Sequence, residues 1–230
     1  MRQESGEYSK TILCLANSRK QSGRCIAGRE IVDTGFGAWI RPVSARQKEE
    51  ISEEEYRYEN GQSPTVLDVI NIPMLKPNPK SYQSENHLID DGFYWQKIRR
   101  ASWQEAVEAS DSVPGDLWLN GYHSKNDRIP EKETKQLKNS LLLIEPDNLV
   151  IHFTQSRQKR QVRAKFDLNA QHYNLVVTDP EIERQYLKLQ DGEYPISGAL
   201  LGISLGEIFE EYAYKLIASI ITEERARQGR

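Results

Sequence analysis

Residues 155–168 read QSRQKRQVRAKFDL. The stretch opens with Arg157, Lys159, Arg160, Arg163 and Lys165 and has no acid before Asp167. From Val162 onward its side chains sort by polarity. Val162, Ala164, Phe166 and Leu168 fall on one face; Arg163, Lys165 and Asp167 fall on the other. A period of two predicts a strand with one face on a core and one in water. The segment HYNLVVT (172–178) repeats the pattern, with Tyr173, Leu175 and Val177 opposite His172 and Asn174, and a turn around Asn169-Ala170 joins the two strands. The wet face of this hairpin begins with cations, a physical reason to expect a phosphate-bearing ligand.

Further strands and a helix surround this hairpin. Upstream, LLLIEP (141–146) and LVIHFTQ (149–155) read as strands joined by a tight Asp147-Asn148 turn. Downstream, Asp179 is placed to cap a short helix with Pro180 at its first position. ALLGISLGEIF and EYAYKLIASII then supply more apolar material. In the first third, TILCLA (11–16) is a short, nearly continuous apolar run, expected to be covered on both faces. AWIRPVS (38–44) reads as a strand that ends, or lies at an edge, at Pro42. VLDVINIPM (66–74) is another β-rich run, closed by Pro73. The middle differs: residues 95–109, WQKIRRASWQEAVEA, have helix-compatible spacing.

The predicted class is therefore mainly β (α+β), with two small OB-like Greek-key barrels joined by a partly helical connector. The expected boundaries are 9–75 for the first barrel, 76–138 for the connector and 139–223 for the second barrel, with flexible tails at 1–8 and 224–230. A length of 230 residues suits two such units. The net charge of −3 excludes a protein coated in cations but not a local basic groove. Acids are segregated too, in a block at Glu49, Glu50, Glu53, Glu54 and Glu55. No apolar run is long enough to span a membrane, and the first residues do not read as a secretory signal. Cys14 and Cys25 are the only cysteines and fit a reducing cytoplasm.

Several clusters are candidates for binding. Asn17, Ser18, Arg19, Lys20 and Arg24 follow the first strand around Gly23. They either hold an anion through side chains and backbone N–H groups, or cap a turn with the cations in water. Trp39 and Arg41 share a strand face. They either offer a stacking plate beside a guanidinium, or form a core tryptophan with an arginine stem over it. The basic block faces His172 across the hairpin. Ser204 and Glu207 lie in a bend, followed by Lys215. Signals for catalysis are poor. The histidines at 87, 123, 152 and 172 have no metal-ligand spacing, and neither a nucleophile elbow nor HExxH is present. No cofactor, metal or enzymatic activity is expected.

In their order, ILCLANSRKQSGRCIAG, WIRPVS, RAKFDLNAQHYNLVVTDP and SLGEIFEEYAYKLIASII resemble the bacterial dual-OB-domain family, which is discussed beside prokaryotic defence and conflict systems. The resemblance spans about residues 10–221. It implies two barrels in one chain and, by analogy of fold, binding of nucleic acid or a nucleotide. The matching positions are Ser18, Arg19, Lys20, Gly23, Arg24, Trp39, Arg41, Ser44, Tyr173, Asp179, Ser204, Glu207 and Lys215. The expected function is non-enzymatic binding of single-stranded nucleic acid or a nucleotide-containing ligand. Two alternatives are a small-ligand sensor and a protein-interaction module that uses the helix near Trp103 and the glutamate block.

Overall fold

A computed structural model describes residues 8–122, 125–156 and 159–228. The chain divides into two compact units: one up to Ala109 together with the residues from Glu223 onward, and one comprising Ser110–Thr222.

The first unit contains β1 (Tyr8–Lys20), β2 (Gly23–Val32), β3 (Gly35–Val43), α1 (Glu53–Tyr56), β4 (Asp68–Pro77), β5 (Asn86–Ile89), β6 (Gln96–Arg100) and α2 (Trp103–Glu108). β1, β2 and β3 form an antiparallel meander. β3 then pairs with β5 in parallel, β5 pairs with β4, and β4 returns to β1. The ring order 1-2-3-5-4 closes on itself and leaves no free edge within the ring, which is how small barrels remove the edge-strand liability. β6 hangs on β4 outside the ring. Ile12, Cys14, Ile26, Ile40, Ile70, Ile72, Met74 and Trp95 meet inside.

Within TILCLA the run Ile12–Ala16 is buried on both faces, because Leu13 and Leu15 are covered as well. Gly28 allows β2 to cross β1 closely, since a Cβ there would lie 2.0 Å from the Leu13 carbonyl oxygen. Pro42 sits inside the ring, opposite His87 of β5, rather than at an edge. β4 likewise continues past Pro73 to Pro77.

The second unit contains β7 (Arg128–Pro130), α3 (Glu131–Thr134), β8 (Leu141–Ile144), β9 (Asp147–Ser156), β10 (Lys159–Leu168), β11 (Gln171–Val177), α4 (Pro180–Tyr186), β12 (Tyr194–Pro195), β13 (Ala199–Phe209) and β14 (Tyr212–Thr222). The chain ends its described part in α5 (Glu223–Arg227), which belongs to the first unit. β9, β10 and β11 form a meander, β11 pairs with β14 in parallel, β14 pairs with β13, and β13 pairs with β8. β8 leads into β9 across Glu145-Pro146, so the two act as one broken strand, and the order 1-2-3-5-4 recurs. In both units a helix lies between the third and fourth ring strands. α4 begins where expected. Asp179 accepts from the backbone N–H groups of Glu181 (3.0 Å) and Ile182 (3.4 Å), with Pro180 at the first helical position.

Four readings of the sequence need correction. Residues 86–89 and 96–100, assigned to the connector, form β5 and β6, which pair into the first sheet. Of the helix expected over 95–109, only 103–108 is helical. Ser102 and Glu105 form a reciprocal cap there, and the preceding residues pair with β4. The strands flanking Asp147-Asn148 do not pair with each other, since β8 joins β13 and β9 joins β10. Residues 224–227, expected as tail, are helical, and Ala226 is buried.

Candidate nucleic-acid interface on the second barrel

The first three ring strands of the second unit expose a face beside a cleft of about 900 Å³. The hairpin strands β10 and β11 contribute half of its lining residues. Val162, Ala164, Phe166, Tyr173, Leu175 and Val177 point into the core, and Phe166 stacks on Tyr173 with ring centroids 5.1 Å apart. The alternation therefore turns Arg163, Lys165, Asp167, His172 and Asn174 toward the cleft. Asn169 and Ala170, both at positive φ (50° and 62°), close the hairpin in two residues, the geometry that matches strand twist.

The cleft holds a mixed but cation-rich set. Lys125, Arg128, Arg163 and Lys165 line it with His172, against Asp127 and Asp167. Arg163 donates from Nε to the Asn174 side-chain oxygen at 3.0 Å and from Nη2 to the Asn174 backbone carbonyl at 2.5 Å. Burial pulls its guanidinium pKa down, while nearby Asp127 pushes it up. Asp127 lies 3.9 Å from Arg163 and 2.8 Å from Arg128, so one carboxylate serves both guanidinium groups. Lys165 reaches Glu193 at 2.7 Å and is half exposed, an exchangeable pairing in water. His172 contacts Asp167, which also accepts from Asn148 at 2.8 Å. The Asn148 bond, and then His172, hold the Asp167 carboxyl below its ordinary pKa. His152 on β9 meets the Asn174 side-chain oxygen at 3.0 Å. The arrangement offers cations and amides to an anion with hydrogen-bonding edges. Among the described residues, no group of three His, Cys, Asp or Glu side chains is set to hold a metal ion.

The residues singled out in the sequence are distributed as follows. Arg163, Lys165 and His172 meet in the cleft. Lys159 is exposed at the head of β10. Arg160 turns away: its guanidinium lies 3.7 Å from the Phe153 ring centroid and bonds Asp191 and the carbonyls of Leu187 and Leu189. Arg157 lies outside the described residues. Lys215 is 1% exposed and not at the surface. Its ammonium donates to the Leu119 carbonyl and the Asn120 side chain, each at 2.7 Å, over the Tyr173 ring. Burial drives its pKa down to about 7. Ser204 is buried, and Glu207 is half-buried.

In the first unit, Asn17 donates to the Pro64 carbonyl at 2.8 Å, and Ser18 is buried against the Cys25 carbonyl. Arg19 stands opposite Arg24, and Lys20 opposite Gly23, at the end of the β1–β2 hairpin. Gly23 serves close approach more than turning, since a Cβ there would lie 2.4 Å from the Ile51 carbonyl oxygen. Trp39 and Arg41 are 7% and 3% exposed, so of the two readings the buried tryptophan holds and no outward stacking plate forms there. Both faces of this strand are covered, and Arg41 meets Glu85 at 3.3 Å inside the first unit. The sequence reading missed Lys125, Asp127 and Arg128. They enter the cleft because the three-residue β7 pairs with Tyr212–Tyr214, a register that no local pattern announces.

Two five-stranded rings of this order, each with a helix between its third and fourth strands, define a pair of OB folds, a class generally used as binding modules. A model of the dual OB-containing domain matches residues 10–220, and the chain belongs to that family. No match emerged among curated proteins or among solved structures. Among the described residues, no helix is long and apolar enough to cross a membrane.

Proposed function

We propose that the second barrel binds single-stranded nucleic acid, or a ligand built from nucleotides, along the β9–β11 face. The observation that carries this reading is the convergence of Lys125, Arg128, Arg163 and Lys165 on one cleft beside His172, Asn148 and Asn174. Cations meet phosphates; amides and imidazole meet base edges and sugars. No chemical step is assigned to the site, and the protein acts by binding, in the cytoplasm on the reading given above. A place in prokaryotic defence belongs to the same proposal and rests on the family resemblance alone. Photocrosslinking of the full chain to a 5-bromouracil-substituted single strand tests the reading. Adducts are expected on the cleft residues, with His172 and Lys165 foremost. Adducts confined to the first unit, or none at low salt, would remove it.

A further inference from the structure

The first unit has a cavity of its own, about 530 Å³ and within the size range of ligand pockets. It lies between the turn at 58–62, which follows α1, and residues 95–98 at the start of β6. Its lining includes no residue of the ring strands β1, β2 or β3. β6 is the last strand of its sheet and, among the described strands, pairs only with β4. Its other edge therefore carries backbone N–H and C=O groups without a ladder. A single bridge, Tyr58 to Trp95, closes that edge where β6 begins. Lys97 pairs with Ile70 and Arg99 with Val69, which leaves Ile98 as the extra residue of a bulge. Ile98 is 57% exposed, a large apolar side chain in water beside the cavity. Trp95 is 1% exposed, yet among the described residues its indole N–H has no hydrogen-bond partner. A buried donor without an acceptor is a net cost to the fold, and this one belongs to a residue in the wall of a cavity. Lys97 lines the same cavity, with its side chain 38% exposed and held by Asp68 at 2.8 Å.

We propose that this cavity captures the free C-terminus of a partner polypeptide. The terminal carboxylate accepts from the Trp95 indole and from Lys97. The last residues of the partner extend along the open edge of β6 and exchange backbone hydrogen bonds with it, and an apolar terminal side chain covers Ile98. Three features select this occupant. An open strand edge recognises main chain rather than a compact ligand. The bulge at Ile98 interrupts the ladder after a few residues, which suits a chain end better than a strand running through. The lining has one cation, Lys97, and one acid, Glu59. A single carboxylate placed at Lys97 is favoured there, while a polyanion gains nothing, so the site differs in kind from the cation-rich cleft of the second barrel. A second copy of this chain does not fit through the same edge, because its β6 would set Lys97, Arg99 and Arg100 against their own kind. The proposal goes beyond nucleic-acid binding and does not depend on it.

The test is proton–nitrogen correlation NMR of the four tryptophan indoles in the full chain. The titrants are acetyl-Ala-Val-Leu with a free carboxylate and the same tripeptide amidated. The Trp95 signal is assigned with Trp95→Phe, or by through-bond spectra if that variant does not fold. The acid is expected to move the Trp95 signal downfield and to saturate at millimolar concentration, with the other three indoles unmoved, and the amide is expected to move none. Lys97→Gln leaves Asp68 its bonds from Arg100, Tyr58 and Thr65, and it should weaken binding of the acid at least about five-fold. If the Trp95 signal moves for neither peptide, or equally for both, carboxylate capture is overturned. The same holds if Lys97→Gln binds the acid like the parent. If a thymidine strand moves the Trp95 signal and the acid does not, the cavity serves nucleic acid and the proposal falls, while the reading of the second barrel stands.

Discussion

Lys215 should give this protein a stability that rises between neutral and mildly alkaline pH. Its ammonium is buried beneath Leu119 and Asn120, and burial lowers its pKa from the ordinary 10.5 to about 7. Below about pH 7 both folded and unfolded chains hold the proton, and the cost of burying the charge is fully present. Above that point the folded chain releases the proton, while the unfolded chain keeps it until about pH 10.4. The unfolded state then binds more protons, so stability increases with pH. Between about pH 7 and 8.5 the gain is about 1.5 kcal/mol, or roughly 5 °C in Tm for a unit of this size. The first unit trends the other way at higher pH: burial raises the pKa of its Cys14 thiol and Tyr58 hydroxyl, so it keeps protons that the unfolded chain loses and its stability falls. Scanning calorimetry across this range, on the parent and on Lys215→Met, is the assay. The variant leaves the Leu119 carbonyl and the Asn120 oxygen without their donor, which costs about 1–3 kcal/mol, so absolute stability is a poor readout and the slope is the proper one. A parent whose Tm is flat or falls from pH 7 to 8.5, or a variant that keeps the rise, would refute the reasoning.

Three further substitutions probe the barrels. Gly28→Ala forces a methyl against the Leu13 carbonyl oxygen and should destabilise the first unit by about 3 kcal/mol or more, measured by urea unfolding. Ala170→Gly relieves a left-handed residue at φ 62° and should raise stability by about 0.5–1 kcal/mol; a loss would mean the turn is not of that type. Asp179→Ala removes the cap of α4 and the acceptor of the Ile220 N–H at 3.3 Å and should cost about 2–3 kcal/mol, read by the same method.

The alternation in 162–177 is legible because a barrel strand must be apolar at every second residue, and nothing else in the chain competes with that signal. The same rule places Trp39 and Arg41 on one face but cannot tell whether that face is covered. Arg41 is buried because Glu85, in the turn that leads into the parallel-paired β5, arrives beside it, and such a partner is invisible to a local reading. Lys215 is misread for a related reason. A lysine on an apolar strand looks like an exposed cation until a loop folds over it and supplies two oxygens. β6 resembles a helix in its apolar spacing, and only its ladder with β4 decides the matter. Arg160 and Arg163 stand three residues apart in one basic run, yet one is tied to Asp191 and the other faces the cleft. Charge runs report composition, while strand register assigns each charge its work.

The most direct test of the central claim is the salt dependence of single-strand binding by the parent chain and by Arg163→Gln/Lys165→Gln. If the cleft cations neutralise phosphates, log Kobs against log salt falls with a slope of about −2 to −3 for the parent, and the double variant binds more weakly with a slope shallower by about 1 or more. A slope near zero, or a double variant indistinguishable from the parent, would contradict the account.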